Sequence, residues 1–169
     1  MSVVDGKTTI SFDNSVPANS TYGKTAAELA SGGWVDNGNL VVSDVATENH
    51  DAARAHLGAP WRMMTDAELQ KLVNDCERKC VEEYNGKSVK GYVVSGKKGS
   101  AYENNEVFFP AAGYGNSSGL VGGGSYGDYW SSTPDSDRNG FAWRLDFRAN
   151  DFIRNSDSRY NGYPVRPVR

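Results

Sequence analysis

The sequence contains no run of about 18 apolar residues, which is the length that a membrane-spanning helix requires. We therefore expect no membrane insertion. Residues 1–12 also lack the basic segment and the apolar segment of a secretory signal peptide. The sequence does not indicate where the protein is located. It fits a cytoplasmic protein, a virion component, or a cell-surface or secreted protein separated from its leader.

Cysteine is scarce as well, and the chain carries no excess of basic residues. The i,i+4 spacing of Cys76 and Cys80 predicts that they share one face of a helix as small core residues, and it argues against a disulfide framework. The two histidines, His50 and His56, lie in another segment, so no metal site is expected. The net charge of -3 argues against a nucleic-acid partner.

Motifs of the common catalytic classes are also missing. Residues 122–124 are glycines, but the Lys and Ser/Thr of a phosphate-binding loop do not follow them. The histidines do not form the His-Glu-x-x-His zinc motif, and Ser131 has no identifiable base nearby. The sequence therefore predicts no catalytic residue, no metal and no cofactor, and we expect that the protein is not an enzyme.

The composition that remains is that of a folded domain. The chain has 169 residues, which is long enough for one domain with its own core. Its 4 Trp, 9 Tyr and 6 Phe argue against disorder. The 19 glycines favour short strands and many turns rather than a helix bundle.

Two helices are predicted. The first covers residues 47–57, and Gly58 and Pro60 are its stop signals. The second begins at Thr65, which has the capping-box spacing with Glu68. Its apolar stripe continues at helical spacing through Leu69, Leu72, Val73, Cys76 and Cys80.

The other segments favour strands. Strands are predicted at residues 6–12, 34–42, 89–94 and 106–109, with a glycine-rich loop at 113–127 and an edge strand at the proline-containing end, 163–169. In residues 143–148 the apolar Trp143, Leu145 and Phe147 alternate with Arg144, Asp146 and Arg148. A strand with this alternation points Leu145 and Phe147 into the core, and we expect the charged side chains to point into solvent.

The tail, residues 134–169, uses a restricted set of amino acids. It contains 7 Arg but no Lys and 5 Asp but no Glu, whereas residues 1–133 hold all 8 Lys and all 8 Glu. If any base replaces the adenines of AAC or AAT codons, they reach Asn, Asp, Ser, Gly, Ala, Arg, Tyr, Phe, Ile and a few others but never Lys, Glu, Gln, Met or Trp. Within the tail Trp143 is the exception to this set. Adenine-directed diversification would explain this set. The alternative is an ordinary Asn-, Asp- and Gly-rich loop composition, and one observation favours it, because Lys and Glu already end at Lys98 and Glu106, ahead of the tail.

Several stretches resemble known families. Residues 59–68, APWRMMTDAE, resemble the start of the second helix in formylglycine-generating-enzyme-type C-type lectin folds. Residues 108–114 (FFPAAGY), 129–134 (YWSSTP) and 162–169 (GYPVRPVR) resemble parts of the Fibrobacter-type major paralogous domain. The resemblance covers about residues 47–169. Some members of that family look like the variable proteins of diversity-generating retroelements, in which a reverse transcriptase rewrites adenine positions near the C-terminus.

The resemblance implies a single α+β, C-type-lectin-like domain over residues 1–169. In this fold two helices pack on small twisted antiparallel sheets, and the N- and C-terminal strands pair. It implies framework positions at Trp130, Ala142, Leu145, Phe147, Phe152, Arg159 and Gly162. It also implies a variable ligand-binding region at about residues 135–161, with diversified positions at Asp137, Arg138, Asn139, Gly140, Phe141, Arg144, Asp146, Arg148, Asn150, Asp151, Ile153, Asn155, Asp157, Tyr160 and Asn161.

The function implied is ligand binding by a hypervariable, receptor-recognising surface. The expected ligand is a protein on a host or neighbouring cell, with Arg144, Arg148 and Tyr160 as main contacts. Calcium-dependent sugar binding is not expected, because the Glu-Pro-Asn and Trp-Asn-Asp motifs of sugar-binding lectins are missing. The late cysteine pair of formylglycine-generating enzymes is missing too. The alternative is a domain of fixed specificity, structural or adhesive, in a bacterial surface or secreted protein.

Overall fold

The structure, a computed structural model, describes residues 51–116, 118–138, 140–159 and 161–169, together with the backbone of four short strands before residue 51. It is an α+β arrangement of short helices and small antiparallel sheets. The four short strands form two hairpins, β1 (Ser2–Val4) with β2 (Lys7–Thr9) and β3 (Val35–Asp36) with β4 (Asn39–Leu40). β2 lies within the strand predicted at residues 6–12, whose other residues lie outside the described part. The prediction of one strand at residues 34–42 is wrong, because β3 and β4 form a hairpin there.

Two helices follow, and side chains cap the start of each. Helix α1 (Ala52–Leu57) begins after Asp51, whose carboxylate accepts the Arg54 amide at 2.9 Å. Residues 47–50 of the predicted first helix lie outside the described residues. Helix α2 (Asp66–Asp75) begins with the predicted capping box, because the Thr65 hydroxyl accepts the Glu68 amide and the Glu68 carboxylate accepts the Thr65 amide.

The second helix is shorter than predicted. It ends at Asp75, and Cys76 and Cys80 lie in strand β5 (Cys76–Val81), so the prediction that both cysteines lie on the helix is wrong. Residues four apart share a face on a strand as well as on a helix, since strand side chains alternate with a period of two. The apolar pattern from Leu69 to Cys80 therefore predicts which side chains face the core, but it does not predict where the helix ends. Both thiols are free, half-buried and packed against the core.

Two three-stranded antiparallel sheets hold most of the remaining chain. Their orders are β5–β6–β7 and β10–β11–β12. The bounds are β6 (Gly91–Gly96), β7 (Glu106–Pro110), β10 (Gly127–Pro134), β11 (Phe141–Arg148) and β12 (Asp151–Ser158). The strands predicted at 89–94 and 106–109 correspond to β6 and β7.

The glycine-rich segment at 113–127 is more ordered than predicted. It contains a hairpin of β8 (Tyr114–Asn116) and β9 (Gly119–Val121), so the prediction of a loop throughout is wrong. Backbone hydrogen bonds hold this hairpin, and its glycines contribute no side-chain alternation from which a strand could be recognised. Gly113 has a φ of 67°, a backbone conformation that favours glycine.

The core lies between the two sheets and α2. Tyr92 of β6 lies 5.1 Å from Phe147 of β11, and Phe109 of β7 lies 5.3 Å from Tyr129 of β10, measured between ring centroids. Leu69 of α2 is completely buried among these rings. The face of the β10–β11–β12 sheet that points away from this core is thereby left for other contacts.

The C-terminal segment runs beside β10 and returns to the start of α2. The Trp130 amide donates to the Pro164 carbonyl at 3.0 Å, and Arg62 and Val168 exchange two hydrogen bonds of 2.9 Å. Residues 163–169 do not form the predicted edge strand, because Pro164 and Pro167 have no N–H to donate. Within the described residues nothing pairs this segment with β1 or β2, so the predicted pairing of the two termini is not found there.

Candidate functional site

The β10–β11–β12 sheet has a core face and an outer face, because side chains alternate along its strands. Leu145 and Phe147 are 0% and 1% exposed on the core face, which confirms the predicted register of β11. Tyr129 and Phe152 lie beside them. The strand pairing places ten side chains on the opposite, outer face, namely Asp128, Trp130, Ala142, Arg144, Asp146, Arg148, Asp151, Ile153, Asn155 and Asp157.

Seven of the predicted diversified positions lie on the outer face. They are Arg144, Asp146, Arg148, Asp151, Ile153, Asn155 and Asp157. The register sets Arg144 opposite Asn155 and Arg148 opposite Asp151. Positions that are spread over fourteen residues of sequence are therefore neighbours in space.

The other described positions lie where these strands begin or end. They are Asp137, Arg138 and Gly140 in the turn before β11, Phe141 at its start, Asn150 in the turn before β12, and Asn161 after β12. The buried Asp135 holds the first turn by accepting the Asp137 amide at 3.1 Å and the Arg138 Nε at 3.0 Å. Asn139 and Tyr160 lie outside the described residues.

The positions predicted as framework lie around the same sheet. Ala142, Leu145, Phe147 and Phe152 are buried, while Trp130, Arg159 and Gly162 are half-buried. The Trp130 indole donates to the Asn161 carbonyl at 3.1 Å. This bond joins β10 to the segment after β12.

The middle of the outer face is an ion cluster of Asp128, Arg144, Asp146 and Asp157. The Arg144 guanidinium pairs with Asp128, with Asp146 at 3.0 Å and with Asp157 at 3.4 Å. Arg144 is 7% exposed and Asp146 is 9% exposed, so the prediction that both point into solvent is wrong. Alternation along a strand identifies two faces, but it does not reveal that something else covers the second one.

Tyr163 covers the ion cluster from the C-terminal segment. Its ring centroid lies 5.0 Å from the guanidinium carbon of Arg144 and 4.6 Å from the Trp130 ring. Its hydroxyl donates to the Asp157 carboxylate at 2.7 Å and accepts from the side-chain amide (Nδ2) of Asn161 at 3.2 Å. A cation enclosed by carboxylates and an aromatic ring is held in one orientation.

Asp128 and Tyr163 were not among the predicted site residues. A signal for Asp128 was present, because it stands two residues before Trp130 and on the opposite side from Tyr129 in a strand pattern. Tyr163 lies within residues 162–169, one of the stretches that carry the resemblance, but nothing local relates it to Arg144. Only the path of the C-terminal segment brings them together.

The ion cluster holds three carboxylates and one guanidinium. Burial raises the pKa of Asp128 to about 6; the charges of Asp146 and Asp157 add to this rise and that of Arg144 opposes it. Burial acts to lower the pKa of Arg144, but Asp128 and Asp146 outweigh it and raise that pKa. The cluster therefore keeps its cation and takes up a proton in mildly acidic solution.

Beside the ion cluster lies a group of accessible side chains that we call the rim, formed by Arg148, Asp151, Ile153 and Asn155. Ile153 is 46% exposed, Arg148 and Asp151 are exposed, and Asn155 is half-buried. The Arg148 guanidinium carbon lies 4.5 Å from the centroid of the Tyr126 ring. The rim combines charge, hydrogen-bonding groups and apolar area, the combination found at protein interfaces.

Strand β12 is the outer strand of its sheet in the described part of the chain, and two of its amides are capped locally. The Ser156 amide donates to the Asn155 side chain at 2.8 Å, and the Ser158 amide donates to the Asp157 side chain at 2.7 Å. Both acceptors are predicted diversified positions.

The residues described include no group of three or more His, Cys, Asp or Glu placed to hold a metal ion. They also include no helix long and apolar enough to cross a membrane. What the outer face offers chemically is charge, directional hydrogen bonds and aromatic or aliphatic contact area.

Comparison with known proteins gives one result. A family model described as Domain of unknown function (DUF8237) matches residues 82–168, just over half of the chain. The matched stretch starts after β5 and includes the entire outer face. No curated protein and no solved structure matches the chain.

Proposed function

The chain belongs to the family described as a domain of unknown function (DUF8237), and we propose that in this protein the domain recognises a ligand through the outer face of the β10–β11–β12 sheet. The ligand we propose is a protein on the surface of a host or neighbouring cell. The observation that carries the proposal is the sorting of side chains in β11 and β12. Leu145, Phe147 and Phe152 fill the core, while seven of the predicted diversified positions share the opposite face.

The composition of the rim supports a protein ligand. Arg148 is exposed and stacked on Tyr126, and arginine and tyrosine are enriched among residues that dominate protein interfaces. Ile153 adds exposed apolar area between polar neighbours. The sheet holds the backbone of these residues in one conformation. Little backbone entropy is therefore lost when a ligand binds.

We further propose that the fold is C-type-lectin-like and that a diversity-generating retroelement rewrites the outer face. Two short helices and small antiparallel sheets agree with that fold class, and the restricted amino-acid set of the tail agrees with adenine-directed change. Exchange at exposed rim positions leaves the core contacts of β11 and β12 intact. The proposal assigns no catalytic step to the protein.

One observation favours the second candidate, a structural or adhesive domain of fixed specificity. Arg144, Asp146 and Asp157 belong to a single ion cluster, and a charge in such a cluster cannot be replaced without affecting the others. A surface selected for one partner would keep such a cluster unchanged. The rim, where exchange costs little, distinguishes the two candidates.

The two candidate functions predict different DNA sequences, so sequencing of the gene and its flanking DNA tests the proposal. Deep sequencing of the coding DNA from a growing population should show differences concentrated at the codons of rim residues and confined to positions that are adenine in a near-copy of the tail. The flanking DNA should hold a reverse transcriptase gene and a near-copy of the tail. A coding sequence that is uniform from cell to cell, with neither neighbour present, would leave the domain of fixed specificity as the function.

A further inference from the structure

We infer that positions 144, 146 and 157 form one charge-matched unit with Asp128 and Tyr163, so that they set the shape of the outer face and leave ligand contact to the rim. This inference rests on the proposed function, since it divides the proposed diversified positions into two classes. In this reading Asp128 and Tyr163 are positioning residues for the unit. Both lie outside the set of positions assigned to diversification.

The contacts of Arg144 make the members of the unit depend on one another. Its guanidinium is the cation paired with Asp128, Asp146 and Asp157, and its side chain is 8% exposed. Loss of the cation leaves three carboxylates close together, two of them buried. Removing one partner of a buried pair is strongly unfavourable, whereas replacing the whole set by matched residues need not be.

Asp128 sets the condition that the diversified positions must meet. It is 4% exposed and pairs directly with Arg144, so position 144 must supply a cation whenever Asp128 is charged. Among the residues that AAC and AAT codons reach by adenine exchange, only Arg and His can be cationic. Arg matches the geometry best, because it donates to several carboxylates from one planar group.

Tyr163 limits the size and orientation of the residue at position 144. Its ring centroid lies 5.0 Å from the guanidinium carbon of Arg144, and its hydroxyl donates a hydrogen bond of 2.7 Å to one carboxylate oxygen of Asp157. A compact side chain at 144 would lose the ring contact as well as the ion pairs. Positions 148, 151 and 155 meet no comparable requirement, because Arg148 and Asp151 are exposed and the half-buried Asn155 carries no charge for the ion cluster to balance.

Two matched libraries of the whole chain on display test the inference without any ligand. One carries every product of adenine exchange at positions 144, 146 and 157, and the other carries the same products at 148, 151 and 155. Both are sorted at neutral pH for resistance to protease, which reports folding. The starting residues are nearly the same in kind, namely Arg, Asp and Asp against Arg, Asp and Asn.

In the first library we expect Arg at 144 to be enriched about tenfold or more among survivors, the equivalent of at least about 1.4 kcal/mol. Acidic residues at 146 and 157 should survive only together with a cation at 144. The second library should keep its input frequencies to within about twofold, with no correlation between positions. Survivors of the first library with uncorrelated residues at near-input frequencies would overturn the inference, whether or not the gene proves to be diversified.

A second measurement separates positioning by Tyr163 from simple packing. Tyr163→Phe keeps the ring and removes the hydroxyl that donates to Asp157. With the Asp157 charge less compensated, the midpoint for proton uptake by the Asp128 carboxyl, followed by carbon NMR, should move to higher pH. Loss of stability with an unchanged midpoint would mean that Tyr163 only packs and does not position the unit.

Discussion

At the scale of single residues, the ion cluster links stability to pH. Asp128 has a pKa of about 6 in the folded protein, whereas its ordinary value is 3.8. The folded state therefore holds a proton that the unfolded state has already lost, and this contribution to stability is present below the ordinary value and disappears as the pH rises through 6. We expect the free energy of unfolding, from denaturant melts, to fall by about 2 kcal/mol between about pH 4.5 and about pH 7.

Asp128→Asn is the control for this slope, because an amide does not titrate in that range. The variant should be nearly flat across the same interval. Glu68 acts in the opposite direction at lower pH, since its pairing with Arg62 lowers its pKa to about 2 and that contribution is lost on stronger acidification. A wild-type stability that rises steadily from pH 4.5 to 7 would contradict the assignment.

Two arginines on the same strand should differ sharply on replacement. Arg144→Met leaves the carboxylates of the ion cluster without their cation, and we expect a loss of about 3–5 kcal/mol near neutral pH. Arg148→Met removes an exposed side chain and one contact with Tyr126, which should cost no more than about 1 kcal/mol. Thermal or denaturant melts of the pair check this, and equal losses would show that Arg144 is not embedded in the cluster as described.

At the scale of elements, α2 provides a matched pair of leucines. Leu69 is completely buried in the core, while Leu72, one turn later, is only half-buried. Leu69→Ala should therefore lower the free energy of unfolding by about 2–5 kcal/mol, and Leu72→Ala should cost clearly less. Denaturant melts of both variants measure the difference, and a larger loss at Leu72 would mean that the helix is rotated relative to the sheets.

The elements also show what local patterns can predict. Thr65 and Glu68 predicted the start of α2 because a capping box is a contact within four residues. The end of α2 was not predictable in the same way, since the spacing of Cys76 and Cys80 suits a strand as well as a helix. The β8–β9 hairpin was missed because its pairing depends on backbone groups of a glycine-rich segment. Local chemistry is visible in sequence, whereas pairing between segments is not.

At the scale of the whole molecule, the side chains of β11 that enter the core were predicted better than the surroundings of those on the outer face. The alternation of apolar and charged residues along β11 correctly predicted that Leu145 and Phe147 lie in the core. It could not show that Asp128 from β10 and Tyr163 from the C-terminal segment enclose Arg144, because those contacts depend on the tertiary path of the chain. Arg144 is therefore removed from the expected ligand contacts, and Arg148 remains among them.

The whole face can be tested as a binding surface with a probe protein. A display library randomised at the rim, Arg148, Asp151, Ile153 and Asn155, should yield binders to hen lysozyme after several rounds of panning, with melting temperatures close to that of the parent. These side chains are accessible on a rigid sheet, so new contacts do not disturb the core. The control library randomises four exposed residues elsewhere, Glu77, Lys79, Glu82 and Glu83. Equal yields from the two libraries would argue against any special role for the outer face.

The local hydrogen bonds of β12 bear on the solubility of related sequences. The side chains of Asn155 and Asp157 accept hydrogen bonds from the backbone amides of Ser156 and Ser158. A strand edge whose amides are free can pair with a strand of another molecule. Exchange of either residue for Ile, Phe or Gly removes the acceptor oxygen and frees an amide for pairing between molecules. A repertoire of such surfaces would therefore contain self-associating members. Variants with Asn, Asp or Ser at both positions should remain soluble. Aggregation would therefore remove some variants from the repertoire before any of them meets a ligand.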